Sequence, residues 1–202
     1  MSKKLVGTVL CMAIATLSAP SFAQLGGLGK ALGGGGSSIS PETLVQSYVG
    51  GTQQVMSADV KLLKALGLKD DAQREELAAK NLTQGATASG LEDAAKVQTD
   101  SSKALEDALG AKNVSLSADS KKTYVSGVVD LAKGVKTYTG MAGDVKNFKP
   151  SLTSVGASAN AALYVVKTMP TSLSNLKNTL KRSIEFAKEN KIDLPADATS
   201  VL

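Results

Sequence analysis

Residues 117–147 read SADSKKTYVSGVVDLAKGVKTYTGMAGDVKN, and this stretch decides the fold. Within it Tyr124, Val128, Leu131, Val135, Tyr138, Ala142 and Val145 recur at steps of four and three, the spacing that places side chains on one face of an α-helix. Ser117 stands ahead of the first periodic residue as an N-cap, and the pattern from there predicts a helix of about 30 residues. Gly127 and Gly134 lie beside the stripe, with Gly140 and Gly143 beyond it. An interior glycine costs a helix up to about 1 kcal/mol relative to alanine. Close approach of a neighbouring backbone is the simplest compensation to expect.

Working outward, an earlier helix is predicted from Ser40 to about Leu66. Ser40 is its N-cap, Pro41 takes the first helical position, Glu42 suits the first turn, and Gly67 follows the end. Leu44, Tyr48, Gly51, Val55, Ala58, Leu62 and Ala65 make one continuous stripe, and the Gly50–Gly51 pair predicts a bend or a close helix contact. A shorter helix over 70–84 opens with Asp70 and Asp71. A third, over 90–109, has a capping box of Ser89 and Glu92 and stops at Gly110. Gln98 and Ser102 interrupt its stripe, so it is expected at an edge with one wet side.

Downstream, Pro150 forces a break. Leu152, Val155, Ala159, Ala162, Val166 and Met169 then predict a fifth helix ending near Thr168, and Pro170 opens a sixth. In the sixth, Leu173, Leu176, Leu180, Ile184 and Ala187 face inward, while Lys177, Lys181, Arg182, Glu185, Lys188 and Glu189 face water. Alternation of the strand kind is hinted at only over 113–117. The expected fold is all-α: an antiparallel bundle of five or six amphipathic helices over 40–192, followed by an extended C-terminal tail over 193–202.

The N-terminal segment has the three ordered parts of a cleavable Sec signal: Lys3 and Lys4, the apolar run Leu5–Leu17, and small residues at Ser21 and Ala23 before Gln24. The apolar run is too short for a spanning helix, which needs about 20 such residues. Residues 1–23 are therefore expected to be removed, with the mature chain exported to the periplasm or outside the cell. Residues 24–39, rich in Gly and Ser, read as a flexible linker. Gly29–Lys30 lacks the spacing and the following Ser or Thr of a phosphate loop.

Cys11 is the only cysteine, so the mature chain would have no disulfide and no thiolate metal site. There is no histidine, which removes the commonest general base and the commonest protein metal ligand. With Lys3 and Lys4 gone from 23 basic residues against 18 acidic ones, the excess of positive charge is about three. Arg occurs only at Arg74 and Arg182, and no basic stripe is interleaved with aromatics, so nucleic acid is not an expected partner. Ser174 and Lys177 match an S-x-x-K spacing without the companion motifs of that chemistry. The pairs Asp70–Asp71, Glu75–Glu76 and Glu92–Asp93 are neighbours that diverge on a helix, and read as dipole and solubility residues.

These exclusions lead to an expectation of no enzyme activity, no cofactor and no metal. The leading expectation is an interaction or scaffold module with a protein partner or self-association. The alternative is a carrier for an apolar small molecule or lipid, bound in a slot between the first and fourth helices lined by Tyr48, Gly51, Tyr124, Gly127, Gly134 and Tyr138. A third is peripheral membrane contact through the Lys-rich sixth helix.

Overall fold

A computed structural model describes residues 39–83, 85–111, 114–149 and 156–202; the signal and nearly all of the linker lie outside the described residues. Among the described residues the chain is all-helical, with six helices packed together: α1 Pro41–Ala65, α2 Lys69–Asn81, α3 Ala88–Leu109, α4 Ala118–Asn147, α5 Ala157–Glu189 and α6 Ala196–Thr199. The 114–117 segment, where alternation hinted at a strand, forms none.

The central element is α1. Its expected stripe is buried from Leu44 to Ala65, and so is a second one formed by Val45, Val49, Thr52, Met56, Asp59 and Leu63. Two stripes leave little of the helix for water, so α1 packs against α2, α3, α4 and α5. Ser40 Oγ accepts the Thr43 N–H at 3.2 Å at its start. At its end Gly67 takes a φ of 83°, which lets Leu68 N–H reach Leu63 O at 2.9 Å and closes the helix.

The helix α4 runs antiparallel to α1. As contact positions on α1 climb from Gly51 through Val55 to Leu62, their partners on α4 descend from Tyr138 through Gly134 to Gly127. Here the glycines act as sockets. A Cβ added at Gly134 would lie 2.6 Å from Val55 Cγ2, and one at Gly127 would lie 2.9 Å from Leu62 Cδ2 and 3.2 Å from Ala58 O. By contrast, a Cβ at Gly140 or Gly143 would meet nothing within 4 Å, so close packing accounts for only the first two of the four. An ion pair of Lys61 with Asp130, which also holds Lys133 at 2.9 Å, flanks the seam. Along α4, in turn, α5 also runs antiparallel, with Tyr124 Oη donating to Ser183 O at 2.9 Å and its ring packed 5.3 Å from that of Phe186.

Three expectations change. The fifth and sixth helices are one helix, α5, with Pro170 inside it. Met169 and Leu173 are four apart, so the two apolar stripes were in phase across the proline, and burial of Val165, Met169 and Leu176 against the bundle keeps the helix running. That packing outweighs the roughly 3 kcal/mol that an interior proline costs. Thr168 and Ser172 hydroxyls donate to Tyr164 O and Thr168 O on the adjoining turns.

The cap of α3 is Thr87, whose Oγ1 accepts the Gly90 N–H at 3.3 Å, and not a box of Ser89 and Glu92. Ser89 is already the second residue of the helix, and its hydroxyl bonds to Thr87 Oγ1 instead. Finally, the 193–202 tail is not wholly extended: α6 forms within it and seats Ala198 on α4. Ile192 is buried and Leu194 and Val201 are half-buried, whereas Leu202 remains 58% exposed.

Candidate functional site

The structure divides the six residues of the expected slot. Tyr48, Gly51 and Tyr138 meet at one end of the α1–α4 seam, with the tyrosine rings 5.6 Å apart and Tyr138 Oη 2.7 Å from Thr52 Oγ1. That hydroxyl of Thr52 also donates to Tyr48 O at 2.8 Å. Tyr124 and Gly127 lie toward the other end, against Phe186 and Leu62, and Gly134 lies between. Each glycine is filled: by Tyr138 at Gly51, Val55 at Gly134 and Leu62 at Gly127. The small residues therefore hold the neighbouring helix close instead of leaving room for a guest.

A different set of residues converges between α1, α2 and α3. Asp59 sits in the second buried stripe of α1. Glu75 sits in the inward row of α2, where Ala72 and Glu75 are buried and Ala79 half-buried, between half-buried Leu68 ahead of the helix and buried Leu82 after it. Ser101 sits in the corresponding stripe of α3, among Leu91, Ala94 and Leu105. Asp59 and Glu75 are the acids of their rows and Ser101 brings a hydroxyl from α3, so the three form a polar layer. Asp59 and Glu75 are both 0% exposed, and neither oxygen of either carboxyl has a hydrogen-bond partner among the described residues.

Removal from water disfavours the charged form and pushes Asp59 up to about 8. Burial also pushes Glu75 up to about 10, with further upward contributions from the nearby charges of Asp59 and Asp71, while the Ser101 hydroxyl beside it acts in the opposite sense without reaching a well-formed hydrogen bond. At neutral pH the layer holds protons, and its chemistry is that of carboxylic acids. Glu76, its neighbour in sequence, has the opposite character: hydrogen bonds from Lys64 at 2.8 Å and Lys80 at 2.9 Å hold it down at about 2. The reading of Glu75 with Glu76 as two solubility residues thus fits Glu76 alone. Asp59 was not anticipated at all, although a 45–49–52–56–59–63 row with one acid in it is visible in the sequence. Among the described residues no three potential metal ligands come together.

A third feature is a cleft of about 270 Å³ between α3 and α5. Gln98 and Ser102 from α3 and Asn175 and Asn178 from α5 line it, with Lys103 and Glu106 adding one charge of each sign. The position of α3 at the edge of the bundle, expected from the interruptions at Gln98 and Ser102, is what leaves these groups unburied. Asn175 and Asn178 are exposed and Gln98 half-buried, and among the described residues their amides are unpaired. A primary amide offers both donor and acceptor, so the cleft presents a neutral surface that complements peptide groups. Its volume lies just below the usual range of small-molecule pockets, about 300–1,000 Å³.

Compared with models of known families, with characterised proteins and with solved structures, the chain gives no match.

Proposed function

We propose that this chain is an exported, non-enzymatic interaction module that docks an extended segment of a partner protein in the α3–α5 cleft. In this reading residues 1–23 direct Sec export and are removed before Gln24, and the Gly-rich segment to residue 39 serves as a tether for the helical unit. The observation that carries the proposal is the set of unpaired amides of Gln98, Asn175 and Asn178 facing one cleft from two helices. Each primary amide can pair with both an N–H and a C=O group of an extended chain. A sugar polymer is favoured less, because among the described residues no aromatic ring lines the cleft for stacking. The filled sockets of the α1–α4 seam weigh against the apolar-ligand alternative.

The test is site-specific photo-crosslinking in the native host's cell envelope. A photoreactive residue at Thr99 or Ser102, on the cleft wall, is expected to give a discrete protein adduct that the same residue at exposed Lys136 of α4 does not. Combined Asn175→Ala and Asn178→Ala should abolish that adduct while moving stability by less than about 0.5 kcal/mol, the usual range for exposed positions. No adduct at the cleft, or the same adducts at Lys136, refutes the docking assignment. Intact mass of the envelope-derived protein checks export separately, with an N-terminus at Gln24 as the expected result.

A further inference from the structure

The polar layer of Asp59, Glu75 and Ser101 bears on how firmly α2 is held. The charges that reach Glu75 are both acidic, Asp59 from α1 and Asp71 from its own helix. From α3 the layer receives only the Ser101 hydroxyl, and among the described residues α4 and α5 bring no charge that reaches either carboxyl. Lys61 and Lys64, the nearest basic residues along α1, are paired with Asp130 and Glu76, and Arg74 of α2 is paired with Asp71. A divalent cation does not fit the donors. Two carboxyls and a hydroxyl fall short of the six to eight oxygens that calcium takes, and the surrounding backbone carbonyls belong to helices whose own N–H groups occupy them.

Little else anchors the middle of α2. Of its residues only Ala72 and Glu75 are buried. Its ends are better held: the Gly67 turn precedes it, and Gln53 Nε2 donates to Ala79 O at 3.3 Å and Leu82 O at 2.6 Å beyond it. The exposed Lys64–Glu76 pair completes the attachment to α1.

We infer that α2 is a proton-held flap: with the Asp59 and Glu75 carboxyls protonated it lies closed on α1 and α3, and loss of those protons opens it locally and uncovers the α1–α3 face. The direction follows from burial. Once α2 opens, both groups return to water and to ordinary values of about 4. The closed form therefore binds more protons than the open form at neutral pH, and each carboxyl lowers the closed-to-open ratio by up to about tenfold per pH unit across that window. Acid closes the flap and alkali opens it. Because both ends are pinned, the motion is a local unfolding of the helix middle, not a swing of a rigid rod.

Amide hydrogen exchange on the full chain at pH 5, 6.5 and 8 tests this, each rate being divided by the intrinsic rate at that pH so that protection alone is compared. Protection over residues 72–81 is expected to lie below that of Val55 and Val135 in the α1–α4 seam at every pH, as opening short of global unfolding requires, and to fall at least about tenfold from pH 5 to 8. The Asp59→Asn, Glu75→Gln double variant keeps the side-chain shapes without the ionisation, and its α2 protection should be flat. An unchanged α2, α2 protection equal to that of the seam, or pH dependence that survives in the double variant overturns the proposal. If that variant does not fold, the contrast between α2 and α4 in the unsubstituted chain decides. Glu76→Gln, which removes the exposed pairs with Lys64 and Lys80 and leaves the buried carboxyls intact, must then leave the pH dependence in place.

Discussion

Gly134→Ala adds one methyl group where α4 faces the Val55 side chain of α1, and its effect can be worked from the structure. The new Cβ would stand 2.6 Å from Val55 Cγ2, so something must move by nearly 1 Å to restore van der Waals contact. Val55 is β-branched and fully buried, with one strongly preferred rotamer in a helix, so it cannot turn aside cheaply. Overpacking of this kind costs about 1–3 kcal/mol, and the stiffness of Val55 places it near the upper end. Against this, alanine gains about 1 kcal/mol of helix propensity over glycine. The net expectation is a loss of about 2 kcal/mol.

For a folded unit of this size that lowers Tm by about 4–8 °C. Gly140→Ala is the control, because an added methyl there meets nothing within 4 Å. The same chemical change should raise stability by up to about 1 kcal/mol. Val55→Ala supplies the cycle: it removes the clashing methyl groups, so combined with Gly134→Ala it should be at least about 1 kcal/mol less destabilised than the two separate losses added together. Urea unfolding of the four variants and the parent gives all the terms. Gly134→Ala as stable as Gly140→Ala, or strict additivity with Val55→Ala, would refute the socket assignment.

Two further outcomes concern stability. Pro170→Ala, at an exposed position inside α5, restores a backbone N–H and should stabilise the chain by about 1–3 kcal/mol, read as a rise in Tm; no change or a fall would contradict a continuous helix through residue 170. Because burial raises Asp59 to about 8 and Glu75 to about 10, their contribution is fully present below about 4 and is lost as pH rises through those folded values. Tm should therefore fall between pH 5 and pH 8, and Asp59→Asn should be more stabilising relative to the parent at pH 8 than at pH 5; the opposite sign would mean that Asp59 is paired or solvated.

The periodic stripes of α1 and α4, the caps Ser40 and Ser117 and the interruptions in α3 were legible because each depends on residues within a few positions of one another. The α4 sockets were half legible: glycine beside a stripe announces close approach, yet the sequence does not distinguish Gly134, filled by Val55, from Gly140, which faces nothing. The same limit explains the misplaced tyrosine slot. Tyr48 and Tyr138 come together and Tyr124 does not, because the antiparallel register of α1 against α4 sets which ring meets which.

The sequence by itself determined that the described part is helical and where most helices begin, since spacing, caps and breakers act through local backbone geometry. Only the tertiary structure decided that Pro170 lies inside a helix, because whether packing outweighs a lost backbone hydrogen bond depends on residues far away in the chain. It also decided the fate of the acids. Asp59 and Glu75 are separated by a turn and lie on different helices, and their burial together arises only when α2 folds back onto a helix already covered on its other faces. A carboxyl's character is set by its distance from water, and that distance belongs to the assembled bundle.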